Sequence, residues 1–171
     1  MTLQFCIGHN GNIDATVLQH SIRRRSSIDV DVHILPEHEV VLSRAHAKNQ
    51  PAAFTRFLSS YDWKYKGFTI FMDPDMLCLC DAKEIAELFD PQYVVQVVKH
   101  PHGSWSSFMI FNNEKCKDVY TLETVNTLSG STLHEFTNLR DNDIGSLPRE
   151  YNYVVGENDQ AEQAKIVHFT N

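Results

Sequence analysis

Three short segments at the start of the chain restrict the architecture it can adopt. Leu3–Ile7 is an apolar run that breaks at Gly8. Asp14–Arg25 carries Val17, Leu18 and Ile22 at helical spacing. Residues 30–35 alternate, are rich in β-branched side chains and stop at Pro36. A strand, a helix and a second strand in so short a stretch call for parallel pairing through a right-handed crossover. The alternation continues. Pro51 opens a helical stretch that puts Ala52, Ala53, Phe54, Phe57 and Leu58 on one face. Residues 67–72 form an apolar strand, and 76–80 a second extended piece. Asp81 and Glu84 have the spacing of a capping box for a helix over 82–89, which Pro91 stops. Strands follow over 93–98 and 108–111, a helix over 119–128 ended by Gly130, and a last strand over 165–169. Residues 37–49 are polar and read as a loop with a weak helical turn. This pattern predicts an α/β fold of one domain over residues 1–171, with a mostly parallel, Rossmann-like central sheet flanked by helices.

Charge narrows the function classes. Fifteen Lys and Arg against 22 Asp and Glu leave a formal charge of −7, which argues against a protein that binds bare nucleic acid through a basic face. The one basic cluster, Arg23-Arg24-Arg25, reads as a solvated helix end. No apolar run is long enough to span a membrane, and the first residues lack the pattern of a signal peptide, so the expected location is cytoplasmic. Cys6, Cys78, Cys80 and Cys116 lack zinc-site spacing and are expected to be reduced, structural thiols.

In open α/β sheets ligands bind beyond the carboxyl ends of the strands. Two segments fall there. The first is the loop 8–12 after strand one, whose two glycines do not make the dinucleotide-binding fingerprint. The second is Asp73-Pro74-Asp75. Two other Asp-x-Asp triplets occur, Asp29-Val30-Asp31 and Asp141-Asn142-Asp143, but only Asp73-Pro74-Asp75 is flanked by apolar strand on both sides. Burying two carboxylates there costs several kcal/mol unless a cation or hydrogen-bond donors compensate. In extended geometry the two side chains point to one side, roughly 6–7 Å apart along the chain. That pattern suits a hard divalent ion; two solvated acids in a turn are the alternative.

Phe71-Met72-Asp73-Pro74-Asp75-Met76-Leu77, followed by Leu88-Phe89-Asp90, resembles the metal-binding segment of nucleotide-sugar glycosyltransferases of the GT-A fold. It is most similar to those of glycosyltransferase family 8 and their bacterial and phage relatives. Four more segments resemble that family in the same order: Phe54-Thr55-Arg56-Phe57-Leu58, Trp105 to Asn112, Asp141 to Pro148 with Tyr151-Asn152-Tyr153, and Ile166-Val167-His168-Phe169. The chain departs from the family in the loop after strand one, where His9-Asn10 replaces the usual Asp or Tyr. It has only Pro101 to Ser104 where relatives carry an insertion, and it stops three residues after His168, where relatives continue.

The resemblance implies an enzyme that moves a hexose, glucose or galactose, from a UDP-sugar to a sugar or glycan acceptor, with retention at the anomeric carbon. It implies Mn²⁺ or Mg²⁺ on Asp73, Asp75 and His168. It implies nucleotide or diphosphate contacts from Ile7, Gly8, His9, Asn10, Arg56, Asp73 and Pro74, and sugar-side roles for Asp141, Asn142 and Lys99, with His100 and His102 as further candidates. The nucleotide part then covers roughly residues 1–100 and the sugar and acceptor part 101–171, in a bacterial or phage-infected cell. Competing readings are a nucleotide-sugar-binding pseudoenzyme and a metal-dependent nucleotide-sugar hydrolase. A homo-oligomer is left open.

Overall fold

The computed structural model describes residues 2–9, 13–35, 52–101, 105–156 and 161–170. The opening unit forms as the periodicity predicts: β1 (Leu3–Ile7), α1 (Asp14–Arg25) and β2 (Val30–Ile34). Ala15, Leu18 and Ile22 make the buried stripe of α1, while Val17 is exposed, contrary to the expected face. Arg23, Arg24 and Arg25 end the helix in solvent.

The Phe54 segment is α2 (Ala52–Thr55), which continues through a 3₁₀ turn at Arg56–Leu58 into α3 (Ser59–Asp62). It is followed by β3 (Phe68–Met72), β4 (Met76–Cys78), α4 (Ala82–Ala86), β5 (Val95–Val97) and β6 (Phe108–Asn112). Asp81 accepts from the Lys83 amide, and the Glu84 side chain returns to the Asp81 amide, so the capping box exists as read. The remaining elements are α5 (Asn113–Cys116), α6 (Leu122–Thr127), α7 (Gly130–His134), β7 (Ile144–Ser146), β8 (Tyr153–Val154) and β9 (Ile166–His168).

One expectation is overturned here. Gly130 does not end a helix; it begins α7. Leu128 leaves α6 in an extended conformation, and Ser129 then caps α7 by accepting from the Thr132 amide. The expected loop over 37–49 lies outside the described residues.

The main sheet has the order β2-β1-β3-β6-β5-β7. Only β6 runs against its neighbours, so the sheet is mostly parallel, as expected. Alternation along β3 and β6 divides the core. Ile70, Met72, Phe108 and Ile110 face α1 and the second sheet, while Phe71, Met109 and Phe111 face the α2-to-α7 layer. The second sheet, β4-β9-β8, is small, and its antiparallel register sets Met76 opposite His168. The four cysteines are buried and free.

Candidate functional site

Strand direction decides which residues meet. β1, β3, β5 and β7 end at one edge of the sheet, and β6 begins there. Asp73 leaves β3 at this edge, its amide donating to the Ser107 carbonyl at 2.9 Å. The β4–β9 ladder returns His168 to the same place across 95 residues of chain, and the Phe169 amide donates to the Asp75 carbonyl at 2.9 Å. One ligand atom each from Asp73, Asp75 and His168 then lies within 4.8 Å of the others.

The donor set fits a hard divalent cation: two carboxylates and one imidazole nitrogen. Two ligands about 2.1 Å from one ion stand roughly 3–4 Å apart, so the three side chains need only a small closing movement. The tautomer also fits. His168 Nδ1 lies 3.1 Å from Asn152 Oδ1, whose amide nitrogen donates to Ser107 Oγ at 2.8 Å. With the amide in that orientation its oxygen takes the Nδ1 hydrogen, which leaves Nε2, 3.4 Å from Asp75 Oδ1, as the nitrogen a cation would use. Asn152 is fully buried.

Asp73 is held from behind. Arg56 Nη2 lies 3.0 Å from Oδ1 and Nη1 3.3 Å from Oδ2, a two-point grip. The guanidinium also donates to the Ala52 and Ser106 carbonyls at 3.2 and 2.9 Å and stands 5.2 Å over the Phe71 ring. Burial dominates the Asp73 carboxyl and raises its pKa, although Arg56 and His168 pull the other way. Burial works on Asp75 too, but the hydrogen bond and charge of His168 outweigh it and hold Asp75 below the usual carboxylate range.

The other expected site residues divide. Gly8 and Pro74 meet at this edge: a Cβ on Gly8 would stand 3.2 Å from Pro74 Cδ and 3.4 Å from Phe71 Cζ, so the two segments pack closely here. His9 follows, with a buried Nδ1 that has no hydrogen-bond partner among the described residues. Lys99 leaves β5 at the same edge and is exposed; His100 beside it is buried. Asn10 and His102 lie outside the described residues.

Ile7 ends β1 at this edge. Its side chain is fully buried and its carbonyl accepts from the Leu35 amide at 2.8 Å, so it serves the core and the sheet. Asp141 and Asn142 lie elsewhere. They precede β7 and therefore sit at the opposite edge from Asp73, exposed beside an Arg140–Asp143 pair at 2.8 Å. The structure does not bring them to the metal ligands. Sequence reading placed Asn152 only within a motif; its Asn type next to a core Tyr was the available signal of a buried hydrogen-bonding role.

This architecture is the GT-A glycosyltransferase fold. The structure of GlyE, a glycosyltransferase of Streptococcus pneumoniae TIGR4, superposes over 100% of this chain and 55% of its own, with TM-score 0.72 and 12% identity. The chain thus spans about half the length of that protein. A glycosyltransferase involved in glycosylation of the PBCV-1 major capsid protein matches over 100% of this chain and 95% of its own, with TM-score 0.67 and 15% identity. No protein-family model matches the sequence. Protein CDI of Arabidopsis thaliana is 32% identical over 184 aligned positions, covering 90% of this chain and 71% of that protein. The chain belongs to the family of Protein CDI. No helix among the described residues is long and apolar enough to cross a membrane.

Proposed function

We propose that this chain is a metal-dependent glycosyltransferase that moves a hexose from a UDP-sugar to a sugar or glycan acceptor, with retention at the anomeric carbon. The observation that carries the reading is the convergence of Asp73, Asp75 and His168 at the carboxyl edge of the parallel strands in a GT-A fold. Asp73, Asp75 and His168 Nε2 would hold Mn²⁺ or Mg²⁺, which when bound offsets the charge that develops on the departing diphosphate. Arg56 grips and aims the Asp73 carboxylate, and Asn152 takes the Nδ1 hydrogen of His168 so that Nε2 is the nitrogen for the cation. Lys99 would meet the sugar or phosphate of the donor, and Gly8 and His9 would line the nucleotide end. Residues 1–100 then supply most of the nucleotide side, and His168 crosses from the second part of a single domain to complete it.

The test is release of free nucleotide from UDP-glucose, UDP-galactose, UDP-N-acetylglucosamine and GDP-mannose, with and without Mn²⁺ and acceptor sugars. One UDP-sugar turned over faster with acceptor and only with metal is the expected result. Turnover indifferent to every acceptor supports the hydrolase reading, and binding without turnover the pseudoenzyme. Asp75→Ala and His168→Ala should fold and lose Mn²⁺-dependent UDP binding; native affinity in both variants by calorimetry would sink the metal assignment.

A further inference from the structure

We infer that His134 is a positioning residue for this site: through Ser106 it fixes the guanidinium of Arg56, and thereby the metal-facing carboxylate of Asp73. The inference rests on the metal-site reading above and adds a residue that lies on α7, far from the triad in sequence.

The argument starts from the single proton of a hydroxyl. Ser106 Oγ lies 3.4 Å from Arg56 Nη1, where it accepts, and 2.6 Å from His134 Nδ1. An oxygen that faces a cationic donor must turn its own hydrogen elsewhere. His134 Nδ1 is the acceptor at the right distance. The ring is held edge-on to Phe57, with centroids 5.3 Å apart at 78°, and also engages the Ala53 carbonyl. Burial, with the Arg56 charge close by, pushes the His134 pKa down to about 4. The imidazole is therefore neutral at ordinary pH, and its Nδ1 lone pair is available.

Without that acceptor the Ser106 hydrogen is free to swing toward Arg56, and the hydroxyl loses its role as a seat for Nη1. The Ser106 carbonyl would remain, at 2.9 Å, but the fork would no longer be held on both sides of Nη1. Groups that orient a metal ligand from behind typically change metal affinity by 10–100-fold when removed.

The test compares His134→Phe, which keeps ring volume and the Phe57 contact, with Ser106→Ala, the double variant and His134→Asn, whose amide oxygen can stand near the Nδ1 position. Two quantities are read. One is affinity for Mn²⁺ alone, by calorimetry. The other is the exchange rate of the Arg56 Nε–H signal in metal-free protein by nitrogen-15 NMR, since that hydrogen donates to Ala52 O. His134→Phe and Ser106→Ala should each bind Mn²⁺ about 10-fold more weakly. The double variant should be no weaker than either single one, and His134→Asn should return close to wild type. The Arg56 signal should exchange slowly in wild type and His134→Asn and fast in the others. A double variant weakened by the product of the two single effects, or an Arg56 signal unchanged in His134→Phe and Ser106→Ala, overturns the inference. Wild-type protein that binds no Mn²⁺ while the Arg56 signal behaves as stated refutes the cation reading and leaves the positioning of Arg56 standing.

Discussion

Replacing Asn152 by Ala separates the metal reading from simple packing. The side chain is fully buried and makes two hydrogen bonds, accepting from His168 Nδ1 and donating to Ser107 Oγ. Each bond contributes about 1 kcal/mol, and the His168 donor left behind in the core adds a penalty of similar size. The loss should therefore be about 3 kcal/mol, or roughly 6–12 °C in melting temperature for a chain of this length. Metal affinity should fall independently of this. With Oδ1 gone, nothing selects the Nδ1–H tautomer, and the ring can turn its lone pair from the cation; about a 10-fold or greater loss is expected. Thermal unfolding by circular dichroism reads the first effect and Mn²⁺ titration calorimetry the second. Asn152→Asp keeps an acceptor for His168 Nδ1–H and raises the basicity of Nε2, so it should hold Mn²⁺ at least as tightly as wild type. Unaltered Mn²⁺ affinity in Asn152→Ala would show that His168 does not act through Nε2 and would refute the reasoning.

Two further outcomes rest on His134 and Gly145. His134 has its folded pKa depressed to about 4 from an ordinary value of about 6.5. The unfolded chain therefore binds the extra proton first: the stability contribution is complete above about pH 6.5 and is lost as pH falls toward 4. Discounted for the solvent screening of a half-buried ring, this amounts to roughly 1–2 kcal/mol, and melting curves of wild type and His134→Phe should converge across that window; parallel curves would count against a buried neutral imidazole. Gly145→Ala would set a Cβ 2.6 Å from Tyr93 Cδ2 and 2.7 Å from the side chain of Gln96, which is tied to Asp90 and Leu88. It should cost about 1–3 kcal/mol with Mn²⁺ affinity retained, and an unchanged melting temperature would contradict the close packing of β7 on β5.

What short windows encode was legible in the sequence. Periodicity placed β1, α1 and β2, and the capping box at Asp81 and Glu84 is a bond pattern closed within four residues. The apolar flanks of Asp73-Pro74-Asp75 singled out the one Asp-x-Asp at a carboxyl strand end, because burial of paired carboxylates needs compensation. The family resemblance brought in His168. Local signals also misled: Gly130 looks like a helix stop, but the Ser129 hydroxyl one residue earlier makes it a helix start.

Strand order and direction were decided only by the tertiary structure. Asp141 and Asn142 had suitable chemistry in a suitable-looking motif, yet the parallel register of β7 on β5 sends them to the far edge. Val17 has helical spacing but is left exposed on α1. Arg56 finds Asp73 across 17 residues, Asn152 finds His168 across 16, and His134 finds Ser106 across 28. Hydrogen-bond capacity belongs to a residue type and can be read from a sequence. Which partner satisfies it depends on where folding leaves each buried donor and acceptor, and at this edge that is set by the return of β9 onto β4 and by the reversed entry of β6.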